Sequence, residues 1–303
     1  MIAYAGIDLG GTKSEAQLFD ANWQLIERQR VATPDTYEDL VTTVAEQVKW
    51  SIDKAGHSIP VGIGAPGMID AQGNAFTANL PAKGKPLPAD IATEAGHPIT
   101  YVNDCRALAL SEASFGVGQG HGTVMSLIIG TGVGGGVAYD GHLRPGPSSC
   151  GGEFGHMAAS AEAVQSNGLK LHQCGCGRVG CAETYIAGPG LVRMARELTG
   201  LELTTQEIGH SKDQSGPSQD IWRVWIEVTT DLVLSLIQSV DPDIIVLGGG
   251  LSKIPDVSTD ISKRLAEKQI SGFSLPIIIV AAGGDASGAR GAALAAAQEA
   301  GHV

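Results

Sequence analysis

Asp8-Leu9-Gly10-Gly11-Thr12-Lys13 closes a short apolar run, Ile2 to Asp8, and opens the alternating stretch Glu15 to Phe19. The pattern predicts two strands joined by a tight glycine turn, with Trp23 to Arg30 as a third strand. Much later the plan returns: Val124 to Ile129 is an apolar strand, Gly130-Thr131-Gly132 a glycine turn, Gly134 to Tyr139 the returning strand, and a short segment at Leu143 follows. Outward from the first turn, Leu40, Val41, Val44, Val48 and Ile52 recur at helical spacing within Tyr37 to Ala55. Strand Val61 to Gly64, broken by Ala65-Pro66-Gly67, a loop around Gln72-Gly73-Asn74, a short helix near Asp90, strand Ile99 to Val102 and helix Ala107 to Ser114 complete that half. Outward from the second turn come helix Gly190 to Glu197 and a long helix, Asp220 to Val240. Strand Ile244 to Leu247, helix Val257 to Glu267, strand Ile277 to Val280 and helix Gly288 to Glu299 follow. The chain therefore reads as α/β, with two β-β-β-α-β-α units duplicated at the scale of the fold.

Glycine turns let backbone N–H groups approach an anion closely, because no Cβ blocks the way. Gly10-Gly11-Thr12 and Gly130-Thr131-Gly132 hold equivalent places, so the two can face one triphosphate from opposite sides. Neither ends in Gly-Lys-Ser/Thr, which excludes a P-loop. Gly130-x-Gly132-x-x-Gly135 fits the dinucleotide fingerprint formally, but a strand follows where that fingerprint needs a helix. Gly248-Gly249-Gly250 after a strand offers bare backbone to an adenosine, or is an unliganded loop leading to a helix. Gly6, Lys13, Gly134 and Gly135 flank the turns and join the candidate nucleotide set. Asp8 ends the first strand and is placed to orient Mg2+, or to cap the turn by accepting N–H bonds.

Asp104 ends the Ile99 to Val102 strand region and begins a helix. A carboxylate there can accept the proton of an attacking hydroxyl. The competing reading is that Asn103 or Asp104 caps the helix.

Glu153-Phe154-Gly155-His156 and Cys174-Gly-Cys176-Gly-Arg-Val-Gly-Cys181-Ala-Glu183 gather most of the chain's 5 cysteines beside an imidazole. Cys174 and Cys176 are too close in sequence to pair comfortably as a disulfide. Three thiolates and His156 instead make a closed tetrahedral Zn2+ set, structural and not catalytic. Such a metal would place Glu153, His156 and Glu183 toward one point.

The 303 residues are 43% hydrophobic, enough for two cored lobes. A formal net charge of -12 without any basic run argues against nucleic acid and against anionic membrane. No signal-like or eighteen-residue apolar segment is present, so a cytoplasmic protein is expected, where thiols stay reduced.

The Asp8 to Lys13 start, the Glu-x-Gly-His box and the Cys-x-Cys-Gly-x-x-Gly-Cys-x-Glu box together resemble the ROK family of bacterial sugar kinases and transcriptional repressors, over nearly the whole chain. The resemblance implies a two-lobed actin-like ATPase, ribonuclease H-like, with a zinc-binding insertion. Residues 1–115 with 288–303 would form one lobe and 116–287 the other, with ATP held between them. It implies Asp104 as catalytic base and Gly67, Asn79, Asn103, Asp104, Glu153, His156 and Glu183 at a sugar. It also implies a homodimer. The repressor branch carries an extra DNA-binding segment, for which the stretch ahead of Asp8 leaves no room. Where the family continues Asn-Asp-Ala-Asn, this chain has Asn103-Asp104-Cys105-Arg106. Ala78-Asn79-Leu80-Pro81-Ala82 ahead of Gly84-Lys85-Pro86-Leu87 resembles N-acetylglucosamine kinases. The expected reaction is ATP-dependent phosphorylation of that sugar's 6-hydroxyl. The alternatives are another hexose (fructose, glucose or N-acetylmannosamine) or a sugar-sensing regulator.

Overall fold

The computed structural model describes residues 1–144, 146–282 and 287–303. The chain divides into two compact units, Met1–Gly120 with Gly136–Gly151 and Ala282–Val303, and His121–Gly135 with Gly152–Ala281.

In the first unit, β1 (Ile2–Leu9), β2 (Lys13–Asp20) and β3 (Leu25–Ala32) form an antiparallel meander. Next come α1 (Tyr37–Ala55), β4 (Val61–Ala65), the small hairpin β5 (Met68–Ile69) and β6 (Ala75–Phe76), α2 (Leu87–Ala95), β7 (Thr100–Asn103) and α3 (Asp104–Phe115). β4 and β7 add in parallel, giving the sheet order β3-β2-β1-β4-β7. Helix α1 starts where the Thr36 side chain accepts the Asp39 N–H and stops at Gly56, whose φ of 74° only glycine adopts cheaply. Its stripe Leu40, Val41, Val44 and Val48 meets Ile7, Ile63, Leu87 and Ile91 in one core.

The second sheet contains β8 (Thr123–Ile129), β9 (Val133–Tyr139) and β10 (His142–Leu143). Beyond it lie the helical turn Phe154–His156, α4 (Ala161–Ser166), α5 (Glu183–Ile186), α6 (Gly188–Thr199), α7 (Thr205–Ser211) and α8 (Pro217–Val240). Then come β11 (Ile244–Gly248), α9 (Val257–Lys268), β12 (Ile277–Val280) and α10 (Ser287–Glu299). The order β10-β9-β8-β11-β12 repeats that of the first sheet strand for strand, and the boundary between units falls inside β9. The duplicated α/β plan holds, including the fifth strand and following helix read from the sequence of each half. Helix α8 anchors the second unit: Trp225 is fully buried, and its indole N–H donates to Ile186 O at 2.9 Å.

Helix α10 covers the second face of the first sheet. Paired strand positions Gly6 and Gly62 lie beneath it, and a Cβ built on either would stand 1.8 Å from the Ala289 or Ala292 carbonyl oxygen. An alanine-rich helix thus docks backbone to backbone on a glycine floor. Larger residues there would force the layers apart.

Two local readings change. Trp23 turns at φ 62° and stacks on Tyr4 at 4.3 Å, so the third strand starts at Leu25. Helices α4 and α5 emerge in the insertion and α7 between α6 and α8, each too short for periodicity to reveal. Among the described residues no helix is long and apolar enough to cross a membrane.

Candidate active site

In the first unit the candidate residues form a chain of neighbours. The Gly10 N–H closes the first turn on Lys13 O at 2.9 Å, and Thr33 Oγ1 donates to Gly10 O at 2.7 Å. Gly11 must lack a side chain because a Cβ there would stand 2.9 Å from Asn79 O. The Asn79 N–H donates to Thr77 Oγ1 at 3.3 Å. Thr77 and Phe76 press on Gly67, whose φ of 98° and 2.3 Å clearance to Phe76 O both require glycine. Gly67 O accepts Asn103 Nδ2 at 3.0 Å. The side chain of Asn103 is the N-cap of α3, accepting the N–H groups of Cys105 and Arg106 at 3.0 and 3.3 Å. That settles which residue caps.

Asp104 is left at the first helical position, its Oδ1 accepting the local Cys105 N–H at 2.8 Å. Burial raises its carboxyl above the ordinary carboxylate range, against the lowering effect of bonds from Cys105. Such a carboxylate at the end of β7 is more basic than a surface aspartate, which suits proton acceptance. Asp8 lies by the start of α10, its Oδ1 3.0 Å from a Cβ built on Gly288.

In the second unit, His156, Cys174, Cys176 and Cys181 bring four ligand atoms within 4.8 Å of one another. His156 Nδ1 is 3.5 Å from Cys174 Sγ, and Cys176 Sγ is 3.6 Å from Cys181 Sγ. A tetrahedral zinc with Zn–S of about 2.3 Å and Zn–N of about 2.0 Å needs ligand separations of about 3.8 and about 3.5 Å. The donor set fits zinc. Burial pushes the Cys174 thiol up to about 12, so its thiolate needs a cation beside it, whereas the Arg178 N–H holds Cys176 below its ordinary value. With Nδ1 turned to the sulfurs, His156 Nε2 faces Glu153 Oε2 at 3.9 Å.

The helical turn carrying these groups is seated by close packing. A Cβ on Gly155 would meet Val133 O at 2.3 Å, and one on Gly135 would meet the Phe154 ring at 2.5 Å. Glu183, first residue of α5, accepts the Val133 N–H at 2.9 Å and so reaches the second glycine turn.

That turn closes through Gly130 N–H to Gly132 O at 2.9 Å, as its counterpart closes through Gly10. It borders a cavity of about 640 Å³ lined by Gly130, Thr131, Gly250 and Leu251 on one side and by Gly188, Pro189, Arg193, Arg196, Thr205 and Gln206 on the other. The volume is that of a small-molecule pocket. The α6 and α7 residues were missed in the sequence. Helix α6 was placed by its sequence but not tied to the cavity, and the Thr204/Glu207 capping box was the signal that could have placed α7.

Three glycines of the candidate nucleotide set have a packing or turn reason of their own. Gly6 is sealed under α10, and Gly135 lies beneath Phe154 within β9, where its N–H donates to Gly152 O at 2.8 Å. Gly249, at φ 84°, turns toward Ile129 O, 2.4 Å from where its Cβ would be. Gly248 ends β11, Gly134 lies within β9, and of the glycine triplet Gly250 lines the cavity.

Residues 4–299 match the ROK family, and the chain belongs to it. N-acetylgalactosamine kinase AgaK of Shewanella sp. (strain ANA-3) is 38% identical over 294 residues, 96% of each chain. The N-acetyl-D-glucosamine kinase of Escherichia coli O6:H1 is 39% identical over 299 residues, 96% of this chain and 98% of the relative. A ROK family glucokinase from Streptomyces griseus, solved with glucose and AMPPNP, aligns at TM-score 0.77 and 28% identity over 98% of this chain and all of its own.

Proposed function

We propose that the protein is an ATP- and Mg2+-dependent sugar kinase that phosphorylates the 6-hydroxyl of N-acetylglucosamine. The observation that carries this reading is Asp104: relieved of capping by Asn103, partly desolvated, and linked through Gly67 and Asn79 to the first glycine turn. Phosphoryl transfer asks the protein mainly for positioning and charge stabilisation. Asp104 takes the proton of the 6-hydroxyl as that oxygen attacks the γ-phosphorus, and the bond to the β-phosphate oxygen breaks to give ADP. The turns at residues 10–12 and 130–132 steady the phosphates through backbone N–H groups not spent on turn closure, with Lys13 beside the first. The cavity beside Gly130 and Gly250 takes the adenosine. Asp8 orients Mg2+, which when bound neutralises charge on the transferred group.

Asn79, Asn103, Glu153, His156 and Glu183 satisfy the sugar's hydroxyls, with Gly67 giving the ring room. His156, Cys174, Cys176 and Cys181 would hold zinc, which would fix the ring orientation of His156 and leave Nε2 for a sugar oxygen. Leu80 and Ala82 are buried while Ala78 and Asn79 stay exposed, which leaves a small accessible surface for an acetamido group. The Shewanella relative favours one second reading, the C4 epimer N-acetylgalactosamine. A homodimer, measurable by light scattering, and a cytoplasmic location that keeps the thiols reduced complete the proposal.

ADP release with MgATP, measured over N-acetylglucosamine, N-acetylgalactosamine, N-acetylmannosamine, glucose and fructose, tests the function. Stimulation by N-acetylglucosamine above the others is expected. Stimulation by another sugar corrects the substrate, and stimulation by none overturns the kinase reading.

A further inference from the structure

We propose that Arg106 is a positioning residue, fastening to the first turn of α3 the turn at residues 149–151 that leads into Glu153. The proposal rests on the kinase reading above. Arg106 sits in the first turn of α3, its N–H accepted by the Asn103 cap at 3.3 Å. Its Nε donates to Gly151 O at 2.9 Å, and its Nη2 donates to Ser149 O. One rigid guanidinium therefore holds two carbonyls two residues apart, a geometry that the single ammonium of lysine does not reproduce.

The segment held needs holding. Ser149 stands at φ 53° and Gly152 at φ 99°, and a serine in the left-handed region persists only where its surroundings impose it. The chain passes from the first unit to the second between Gly151 and Gly152, immediately ahead of Glu153. The same turn of α3 also abuts the other crossing in β9: a Cβ on Gly136 would lie 2.6 Å from Arg106 Cα and 3.1 Å from Cys105 O. The first turn of α3 is thus packed against one crossing and hydrogen-bonded to the other. Glu153 follows Gly151 by two residues, so the 149–152 turn sets the path by which the chain enters it. Arg106 occupies the position where the family pattern has asparagine, a side chain too short to span two such carbonyls.

The test compares wild type, Arg106→Ala and Arg106→Lys. Hydrogen exchange over Gly146 to Met157 should quicken in Arg106→Ala. The sugar KM should rise about tenfold, the scale of losing one charge-assisted hydrogen bond, with the ATP KM unchanged. Arg106→Lys, keeping the charge and a single donor nitrogen without the planar fork, should fall between. Unchanged exchange over that segment, or equal rises in both KM values with a lowered melting temperature, overturns the proposal. A wild-type protein that no sugar stimulates would sink the kinase reading instead, and the exchange experiment would still decide whether Arg106 fastens the segment.

Discussion

Glu183 accepts the Val133 N–H through one carboxylate oxygen at 2.9 Å while the other lies 3.8 Å from Cys174 Sγ, so one side chain spans from the thiol box to the second glycine turn. A side chain chosen in the sequence for sugar contact therefore also braces the turn that borders the cavity beside Gly130 and Gly250. Removing a hydrogen bond to a charged group costs about 1.5–3 kcal/mol, or roughly ten- to a hundredfold in affinity. Glu183→Ala is expected to weaken AMPPNP binding on that scale, measured by calorimetry. Glu183→Gln retains an acceptor for Val133 and should weaken it far less. Equal nucleotide affinity in both variants and wild type would remove the brace.

Asp104→Asn should lower kcat by about 10²–10⁴-fold, the usual contribution of a positioned general base, while sugar binding persists. Turnover near that of wild type would take Asp104 out of the mechanism.

The raised carboxyl of Asp104 carries two pH predictions of known sign. The base works as carboxylate, so kcat falls as pH drops through a value above the ordinary one, and a pH–rate profile locates that limb. The native state also holds this proton more tightly than the unfolded chain does. Above the native value, the buried charge costs stability, and the cost disappears as pH falls through it. Asp104→Asn should therefore melt higher than wild type at neutral pH, and the gain should vanish in acid. A lower melting temperature at neutral pH would contradict the cause assigned to the shift.

Chelation, or Cys176→Ser, should lower the melting temperature and raise the sugar KM, because closing the metal set is part of folding that loop. Zinc analysis of the purified protein, with calorimetric melts before and after chelation, checks this. A metal-free protein with an unchanged melt would dismiss the site.

Gly62→Ala places a methyl carbon 1.8 Å from Ala292 O. Overpacking of this kind costs about 1–3 kcal/mol or more, which lowers the melting temperature by several degrees at about 2–4 °C per kcal/mol. Activity per folded molecule should survive, since the change lies on the α10 face of the sheet.

The duplicated fold was legible because both glycine turns interrupt strongly apolar strands, and because Val41, Val44 and Val48 keep helical spacing. The metal cluster was legible because Cys-x-Cys-Gly-x-x-Gly-Cys is local: its own Gly177 and Gly180, at φ 89° and 77°, turn the backbone between the thiols. What stayed hidden depends on contacts between distant residues. Gly6 and Gly135 look like turn glycines in the sequence, yet Ala289 and Phe154 explain them. Arg193 and Arg196 line the cavity only because α6 starts at Gly188, whose N–H donates to Gly130 O at 2.8 Å across the loop. Spacing cannot report a bond of that kind.

The docking of α10 on Gly6 and Gly62 has a consequence for biosynthesis. Thr100 and Glu299, 199 positions apart, join at 2.6 Å, so the earliest strands to leave the ribosome lack their roof until nearly all of the chain has been made. Stalled nascent chains ending before Ser287 are expected to remain protease-sensitive through β1 and β4, and to become resistant once the alanine helix is released to close over them.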